Sequence, residues 1–433
     1  MNRTVLATAI SMAAASAAFA TSARVEAMGK HATYFQDDAN IWLNPANANL
    51  YPNYLLGELG VMHDGKDTSA SNNPWGAMQR YNSDPSGTWF GAIFAKSLGK
   101  DETQTGRYPQ VLIGGAFNRD DEWLSYMPSN VMIRKVNSLN PSQVDVQTFN
   151  VSDYAVKWDG ILGFASDSGN LFGLKTYFAY LDSTNGKFSA QSVVNTYTLG
   201  ANLPFGSSMS LELNGTIGFL STTISNGTGS QSGSAIEYKT DLSPSIGGDA
   251  RMFIDASPWP LVVVPAASFR LINAPSRTLS KFRVGSGANV SLDRGFFWMG
   301  VDYFNTSDEI FAAGMDTVSE SAKAVNIDEN GLRVSFGIER NIWTDWFVIR
   351  VGGQKIIKQV DRTGVGGTYS VLTTNPESNN YDEDLVSFGF GVNIEDKFKV
   401  DAVMEKDILF TGGSLLGREP DHVLSRISAS YSF

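Results

Sequence analysis

Side chains that could carry out acid–base, nucleophilic or metal chemistry are few in this sequence and lie far apart. The histidines are His31, His63 and His422, and their spacing fits no metal site. A serine hydrolase would need a serine, a base and an orienting group within hydrogen-bond reach, and no motif brings His63 into such a set. Cysteine is absent, which excludes thiolate catalysis, disulfides and thiolate-bound zinc. We therefore predict no enzymatic activity, no metal site and no cofactor.

Acidic residues gather in one long predicted outer loop, between residues 306 and 331. They are Asp308, Glu309, Asp316, Asp328 and Glu329. Calcium prefers oxygen ligands of this kind, but the spacing fits no calcium-loop pattern. We therefore interpret these residues as a solvated acidic loop.

The only concentrated positive charge in the predicted lumen comes from three consecutive predicted strands, and we call it the basic stripe: Arg251, Arg270, Lys281 and Arg283. Such a stripe could guide an anionic solute, for example one with a carboxylate headgroup. The alternative, which we favour, is that the stripe pairs with the carboxylates of Asp37 and Asp38, because buried charges are costly unless they are paired.

The elements that must position these residues are strands. From Tyr54 onward the sequence divides into segments of about ten residues in which apolar and polar side chains alternate, separated by turn-forming residues. The clearest example is Leu332, Val334 and Phe336, which alternate with Arg333 and Ser335. The predicted strands are Tyr54–His63, Thr88–Ser97, Tyr108–Asn118, Tyr154–Ser166, Leu171–Leu181, Val193–Leu203, Met209–Thr222, Pro244–Ile254, Leu261–Ile272, Phe282–Leu292, Phe296–Asn305, Leu332–Arg340, Trp346–Ile356, Leu385–Ile394, Phe398–Leu409 and Val423–Phe433.

Connection lengths separate a membrane barrel from a soluble sandwich. Connections after even-numbered strands are mostly short, whereas several after odd-numbered strands are long, as in transmembrane barrels. The aromatic residues close to the short turns fit an interfacial girdle; they are Phe205, Trp259, Phe296, Trp343 and Trp346. The predicted fold class is therefore all-β, a transmembrane antiparallel β-barrel over residues 54–433. It should have about 14–16 strands, and sixteen is the best count.

Both ends of the chain point to the bacterial outer membrane. Residues 1–20 combine a basic start, an apolar stretch and Ala18-Phe19-Ala20, which together indicate a signal peptide. The last predicted strand ends with Tyr431 and Phe433 on one face, which resembles the assembly signal of outer-membrane barrels. We therefore expect the barrel assembly machinery and outer-membrane lipid as partners. The net charge of -11 argues against a nucleic-acid partner.

The segment between the signal peptide and the barrel, residues 21–53, lacks strand periodicity but carries a motif. It contains Asp37, Asp38 and Asn40, followed by Asn44, Pro45 and Ala46. An acidic Asp-Asp-Ala followed by Asn-Pro-Ala resembles the N-terminal hatch of the long-chain fatty-acid transporter (FadL-type) barrels, and it is also similar to the related barrels of the type IX secretion system. The resemblance implies that the segment folds inside the barrel as a plug. Barrels of that family typically have fourteen strands.

The function that the resemblance implies is passive uptake of small, hydrophobic solutes through a plugged barrel. Two alternatives remain open. An open general porin would leave the lumen unblocked by residues 21–53. A structural or secretion-accessory outer-membrane protein would instead use its long loops to bind a partner. The substrate and the oligomeric state cannot be deduced from the sequence.

Overall fold

A computed structural model describes most of the chain. The described residues are 22–60, 88–99, 109–127, 130–136, 144–150, 154–185, 188–226, 237–239, 243–275, 277–310, 325–342, 344–363, 369–373, 385–395, 397–404 and 424–433. The predicted signal peptide, residues 1–20, lies outside these ranges, as do His63, Asp316, Trp343 and His422. Within the described ranges, no helix is long and apolar enough to cross a membrane.

The described chain is built mainly from strands, with short helices near the N-terminus. The helices are α1 (Ser22–Ala27) and α2 (Asn40–Leu43), with 3-10 helices at Pro45–Leu50 and Glu122–Tyr126. The strands are β1 (Tyr54–Gly60), β2 (Trp89–Ser97), β3 (Gln110–Phe117), β4 (Asn130–Val136), β5 (Val144–Asn150), β6 (Val156–Ala165), β7 (Leu171–Asn185), β8 (Phe188–Phe205), β9 (Met209–Asn226), β10 (Glu237–Lys239), β11 (Ser245–Asp255), β12 (Leu261–Ala274), β13 (Arg277–Leu292), β14 (Gly295–Ile310), β15 (Val325–Asn341), β16 (Phe347–Thr363), β17 (Tyr369–Thr373), β18 (Leu385–Ile394), β19 (Phe398–Met404) and β20 (Leu424–Ser432).

Sixteen of these strands form one closed antiparallel barrel. Each pairs with its neighbours in chain order, and the ring closes where Tyr54 of β1 pairs with Ser432 of β20. The short strands β10 and β17 add to β9 and β16, while β4 and β5 form a separate hairpin. Each of the sixteen predicted strands coincides with one wall strand, so the best count is confirmed and the fourteen-strand count typical of the family does not apply.

The outward face of the barrel is apolar and the inward face is polar. On β15, Leu332, Val334 and Phe336 are 49%, 39% and 42% exposed, whereas Ser335 between them is fully buried. The period-two alternation in the sequence causes this division, because successive side chains of a strand point to opposite faces. A continuous outward apolar band is stable only beside an apolar surrounding such as lipid.

Most of the predicted girdle aromatics point outward, but one does not. Phe205, Trp259 and Trp346 are 47%, 70% and 54% exposed near the short turns. Phe296 faces the lumen instead, and its ring centroid lies 5.8 Å from that of Phe35. The prediction for Phe296 was wrong because Phe296 and Phe297 follow one another in the strand, and the sequence does not show which ring points inward.

Several strands extend beyond their predicted outer ends. β14 continues to Ile310 and β15 begins at Val325, so Asp308, Glu309, Asp328 and Glu329 lie in paired strands and not in a solvated loop. The prediction missed these extensions because alternation of apolar and polar residues ends where the strands leave the apolar band. Beyond the apolar band, β14 and β15 remain paired through their backbones although their residues no longer alternate.

Candidate functional site

Residues 22–53 lie against the inward face of the barrel wall, and we call this segment the hatch. Helix α1 contacts β16, β18, β19 and β20. Residues 32–35 then receive hydrogen bonds from β11 and β13. The 3-10 helix Pro45–Leu50 completes the course beside β3, β6, β7 and β8. The hatch therefore meets the wall on most sides of the lumen.

Small residues let the start of the hatch approach the wall closely. Ala23 and Ala27 on α1 are fully buried, and the Ala23 amide donates to Ser428 Oγ at 3.2 Å. A Cβ atom at Gly389 of β18 would lie 2.5 Å from Ala27 Cβ. Only glycine at position 389 leaves room for the helix in this position.

Arg24 connects the hatch to the wall through a buried chain of charges. Its guanidinium donates to Glu339 at 2.5 and 3.0 Å and to Asp37 at 3.1 Å. Arg350 of β16 donates to the same Glu339 at 2.6 Å and to Asp401 of β19 at 2.6 Å. Each guanidinium is thus held between two carboxylates, which is the arrangement that makes a buried charge tolerable.

Tyr34 of the hatch packs against glycines of the barrel wall. Its hydroxyl donates to Asp302 of β14, and its ring lies against Gly287 and Gly300. Together with Phe35 and Trp298 it forms an aromatic cluster, in which the centroids of Phe35 and Trp298 are 5.4 Å apart. This cluster holds the hatch to β13 and β14.

The acidic pair of the hatch motif is buried and does not meet the basic stripe. Asp37 bonds to Arg24, and Asp38 accepts a hydrogen bond from Tyr54 of β1. Burial raises the pKa of Asp37 to about 6 although the Arg24 cation opposes the shift. Burial and the adjacent Asp37 raise the pKa of Asp38 well above its usual range. The preferred prediction, that the stripe pairs with these carboxylates, was therefore wrong: Arg24, which belongs to the hatch itself, is the cation that meets Asp37.

The Asn-Pro-Ala motif docks the end of the hatch to the opposite wall. Asn44 Oδ1 accepts from the Ala46 amide at 3.1 Å, and Asn44 Nδ2 donates to the Ala201 carbonyl of β8 at 3.1 Å. Pro45 begins the 3-10 helix, and Ala46 is fully buried. Asn40 stabilises the hatch internally, because its Nδ2 donates to the Phe35 carbonyl at 3.0 Å. Asn44 thus fixes its own turn and binds the wall at once.

Glycines on the inward face trace the path of the hatch, and the sequence analysis did not use them. A Cβ atom at any of these positions would come within 3.0 Å of a hatch atom: Gly163, Gly173, Gly200, Gly285, Gly287, Gly300, Gly337, Gly352 and Gly389. Glycine on the polar face of a strand signals close approach of another backbone or ring. That signal was available in the sequence.

A second segment enters the lumen, residues 118–127 after β3, and we call it the inward loop. Its three consecutive acids each pair with a cation on a different strand. Asp120 pairs with Lys157 at 2.5 Å, Asp121 with Lys175 at 2.8 Å and Glu122 with Arg270 at 3.0 Å. Lys175 and Arg119 hold the pKa of Asp121 well below its usual range, although burial opposes that shift.

The inward loop also touches the hatch. The guanidinium carbon of Arg119 lies 4.3 Å from the ring centroid of Trp42, and Arg119 bonds in addition to Asp159 of β6 at 2.8 Å. Lys175 Nζ donates both to Asp121 and, at 2.7 Å, to the Trp42 carbonyl. The hatch and the inward loop therefore share partners and form one lumenal unit.

The basic stripe is divided between these two segments. Arg251 pairs with Glu212 at 2.8 Å and donates to the carbonyls of Ala32 and Thr33 in the hatch. Arg270 pairs with Glu122 of the loop and with Asp249 at 3.0 Å. Arg283 donates to Thr33 Oγ1 at 3.2 Å. Within the described ranges no salt bridge joins Lys281 or Arg283 to a carboxylate, and Lys281 interacts with Glu122 only through its charge.

Neither the histidines nor the acids of the described chain form a metal site. His31 is buried in the hatch, where burial and the cations of Arg333, Arg283 and Lys281 hold its pKa well below its usual range. Among the described residues no group of three or more histidines and acids could hold a metal ion. His31 is therefore a neutral packing residue beside cations.

The terminal aromatics lie on the outward side of the barrel seam. Tyr431 and Phe433 are 40% and 51% exposed, and their ring centroids are 6.2 Å apart. The Phe433 amide donates to the Asn53 carbonyl at 3.0 Å, where the hatch ends and β1 begins. Their role as an assembly signal stays a prediction.

No protein-family model and no curated protein sequence matches the chain. Among solved structures it is similar to CdiB from Escherichia coli, with 9% identity, a TM-score of 0.32 and coverage of 88% of this chain and 63% of that chain. It is also similar to the CymD monoaromatic hydrocarbon channel, with 10% identity, a TM-score of 0.28 and coverage of 95% and 97%. A third similar structure is the siderophore receptor PirA from Pseudomonas aeruginosa, with 10% identity, a TM-score of 0.19 and coverage of 88% and 79%.

The chain spans less than two thirds of the length of CdiB. The fold and the site define the class of this protein as a sixteen-stranded barrel with an N-terminal segment in its lumen. The comparisons single out no particular family within that class.

Proposed function

We propose that this chain is an outer-membrane channel that is closed by its hatch and admits small, predominantly hydrophobic solutes by passive diffusion. The observation that carries the proposal is the position of the hatch. Its residues Met28, Tyr34 and Ile41 are fully buried, and it bonds to strands on opposite sides of the lumen. A solute would pass when part of the hatch moves away from the wall.

The surfaces along this route favour an apolar solute. The hatch meets the wall through aromatic contacts, such as Tyr34 with Trp298 and Trp42 with Trp89. A solute passing between them loses most of its hydration. Loss of hydration costs little or is favourable for apolar groups and is expensive for polar groups. The resemblance of the hatch motif to the fatty-acid transporter barrels supports the same proposal.

The general porin remains the first alternative. A porin of that kind needs a water-filled lumen, whereas the hatch residues from Ala46 to Asn49 are buried against β7 and β8. The structural or secretion-accessory alternative makes no demand on the lumen. No contact described above favours it.

Uptake by intact cells tests the proposal against both alternatives. Cells that express the intact protein should take up N-phenylnaphthylamine, a hydrophobic dye, faster than cells without it. Entry of nitrocefin, a polar compound, should be unchanged when it is followed through a periplasmic β-lactamase. Faster nitrocefin entry with the intact protein would favour the porin. No change for either compound would favour the structural alternative.

A further inference from the structure

One group of lumenal cations has fewer acidic partners than it could bind. Arg270, Lys281 and Arg283 lie on β12 and β13, where Lys281 is the direct pairing partner of Arg270. Arg270 is held by Asp249 and Glu122, both at 3.0 Å. Lys281 makes no hydrogen bond or ion pair among the described residues, and its side chain is exposed within the barrel. Arg283 is bound only by a hydroxyl, Thr33 Oγ1.

The neighbours of this group add positive charge. Arg333 of β15 lies near the group and is paired with Asp302 at 3.4 Å, and Asp302 also accepts from Tyr34. His31 cannot contribute a compensating charge, because a histidine is either neutral or positive. Four cations, Arg270, Lys281, Arg283 and Arg333, thus face three carboxylates, Asp249, Glu122 and Asp302.

Glu122 is the one carboxylate of the three that belongs to a loop. Asp249 and Asp302 are fixed on wall strands, whereas Glu122 is carried by the inward loop and its side chain is 45% exposed. Arg270 and Lys281 hold the pKa of Glu122 at about 2, although burial opposes the shift. Glu122 is therefore an anion at any ordinary pH. Its carboxylate occupies the position beside Arg270 that a free carboxylate could take.

We propose that Arg270, Lys281 and Arg283 form a lumenal binding site for a small organic anion, and that Glu122 occupies this site as a built-in competitor while the channel is closed. A solute carboxylate that replaces Glu122 takes over the two cations that Glu122 faces, Arg270 and Lys281. The loop then loses its bond to β12 and retains the bonds of Asp120 and Asp121 to β6 and β7. Because Lys175 and Arg119 connect those bonds to Trp42, movement of the loop reaches the hatch. This inference rests on the proposed function, since it assigns a charge class to some of the solutes.

The absence of native cysteine makes a labelling experiment direct. Nitroxide labels are attached at Ser125→Cys in the inward loop and at Ser168→Cys in the short turn between β6 and β7. The distance between the two labels is measured by pulsed electron–electron double resonance. Benzoate should shift the distribution to longer distances, and benzyl alcohol, a neutral molecule of similar size, should leave it unchanged. The Glu122→Gln variant should show the longer distances without ligand, because the amide no longer pairs strongly with Arg270.

Two lysine variants separate the site from a general salt effect. Lys281→Gln should weaken benzoate binding, measured by calorimetry, by about tenfold, the loss expected for one charge-assisted hydrogen bond, and should move the distance response to benzoate concentrations higher by the same factor. Lys355→Gln, on the outward face of β16, should keep the benzoate affinity and the distance response of the parent protein. Circular dichroism and heat-modifiable gel mobility check that each variant is folded.

The inference is overturned if benzoate leaves the distances unchanged in the parent protein, if Lys281→Gln responds like the parent, or if Glu122→Gln keeps the short distances. Failure of the proposed function would instead appear in the dye and conductance assays. Those assays do not depend on benzoate, so the two failures are distinguishable.

Discussion

Replacement of Gly287 by alanine should loosen the hatch without damaging the barrel. The new Cβ atom would lie 2.6 Å from Tyr34 Cβ, which is closer than real Cβ contacts, and neither the rigid ring nor the paired strand can yield. Overpacking of this kind costs about 1–3 kcal/mol. Undocking of the hatch from the wall relieves this steric clash, so the ratio of undocked to docked hatch should rise about 5- to 150-fold.

Conductance in planar bilayers and hydrogen exchange of the hatch amides measure this change. Gly287→Ala should open more often than the parent and should exchange faster over residues 30–36. The matched control is Gly215→Ala, on β9, where an added Cβ would meet nothing within 4 Å. In a chain that lacks the hatch, Gly287→Ala should have no effect on conductance. Parent-like opening and exchange in the intact Gly287→Ala protein would refute the seating of Tyr34 against the wall.

Further substitutions test the outward face, the seam and the acidic pair. Leu213→Arg, near the bilayer midplane, should destabilise the barrel by about 2–4 kcal/mol, whereas Met209→Arg, on the same face at the rim, should cost about 1 kcal/mol or less. Equal unfolding free energies of the two variants in lipid vesicles would contradict the position of this face in the membrane. Phe433→Asp should lower the yield of folded protein in outer membranes far more than the lost contacts of the Phe433 ring explain. An undiminished yield would contradict the role of Phe433 as an assembly signal. Asp37→Asn and Asp38→Asn should each strengthen hatch docking at neutral pH or leave it unchanged, because the docked state raises the pKa of both carboxyls and so disfavours their charged forms. Because both carboxyls have raised pKa values in the docked state, docking should be strongest near pH 4 and should weaken as the pH rises through about 6. Hydrogen exchange of the hatch amides, corrected for the intrinsic exchange rate, measures this dependence. Exchange that does not change with pH would contradict the prediction.

The wall of the barrel was predictable because one physical rule determines it. A strand with lipid on one side and polar groups on the other must alternate, and that alternation located all sixteen strands. The rule stops where the strands leave the apolar band, and for this reason the outer halves of β14 and β15 were assigned to a loop. The direction of Phe296 was missed because two consecutive aromatic residues satisfy either register.

The lumen was harder to predict because its contacts join residues far apart in the chain. Arg24 and Glu339 are separated by 315 positions, and no local pattern indicates that they pair. The motif containing Asn44, Pro45 and Ala46 marked a segment that docks on the wall. It did not identify Arg24 as the partner of Asp37. The run Asp120, Asp121 and Glu122 looked like ordinary loop charge, although each acid binds a separate strand.

The central claim is that the hatch closes the lumen, and single-channel conductance of a chain without residues 22–53 tests it most directly. Residues 1–21, which contain the predicted signal peptide, are kept, and heat-modifiable mobility checks that the shortened barrel is folded. The intact protein should show low conductance and the shortened one far higher conductance, because the deleted segment meets β3, β6–β8 and β18–β20 across the lumen. Equal conductance of the two proteins, whether high or low, would show that the hatch does not close the lumen.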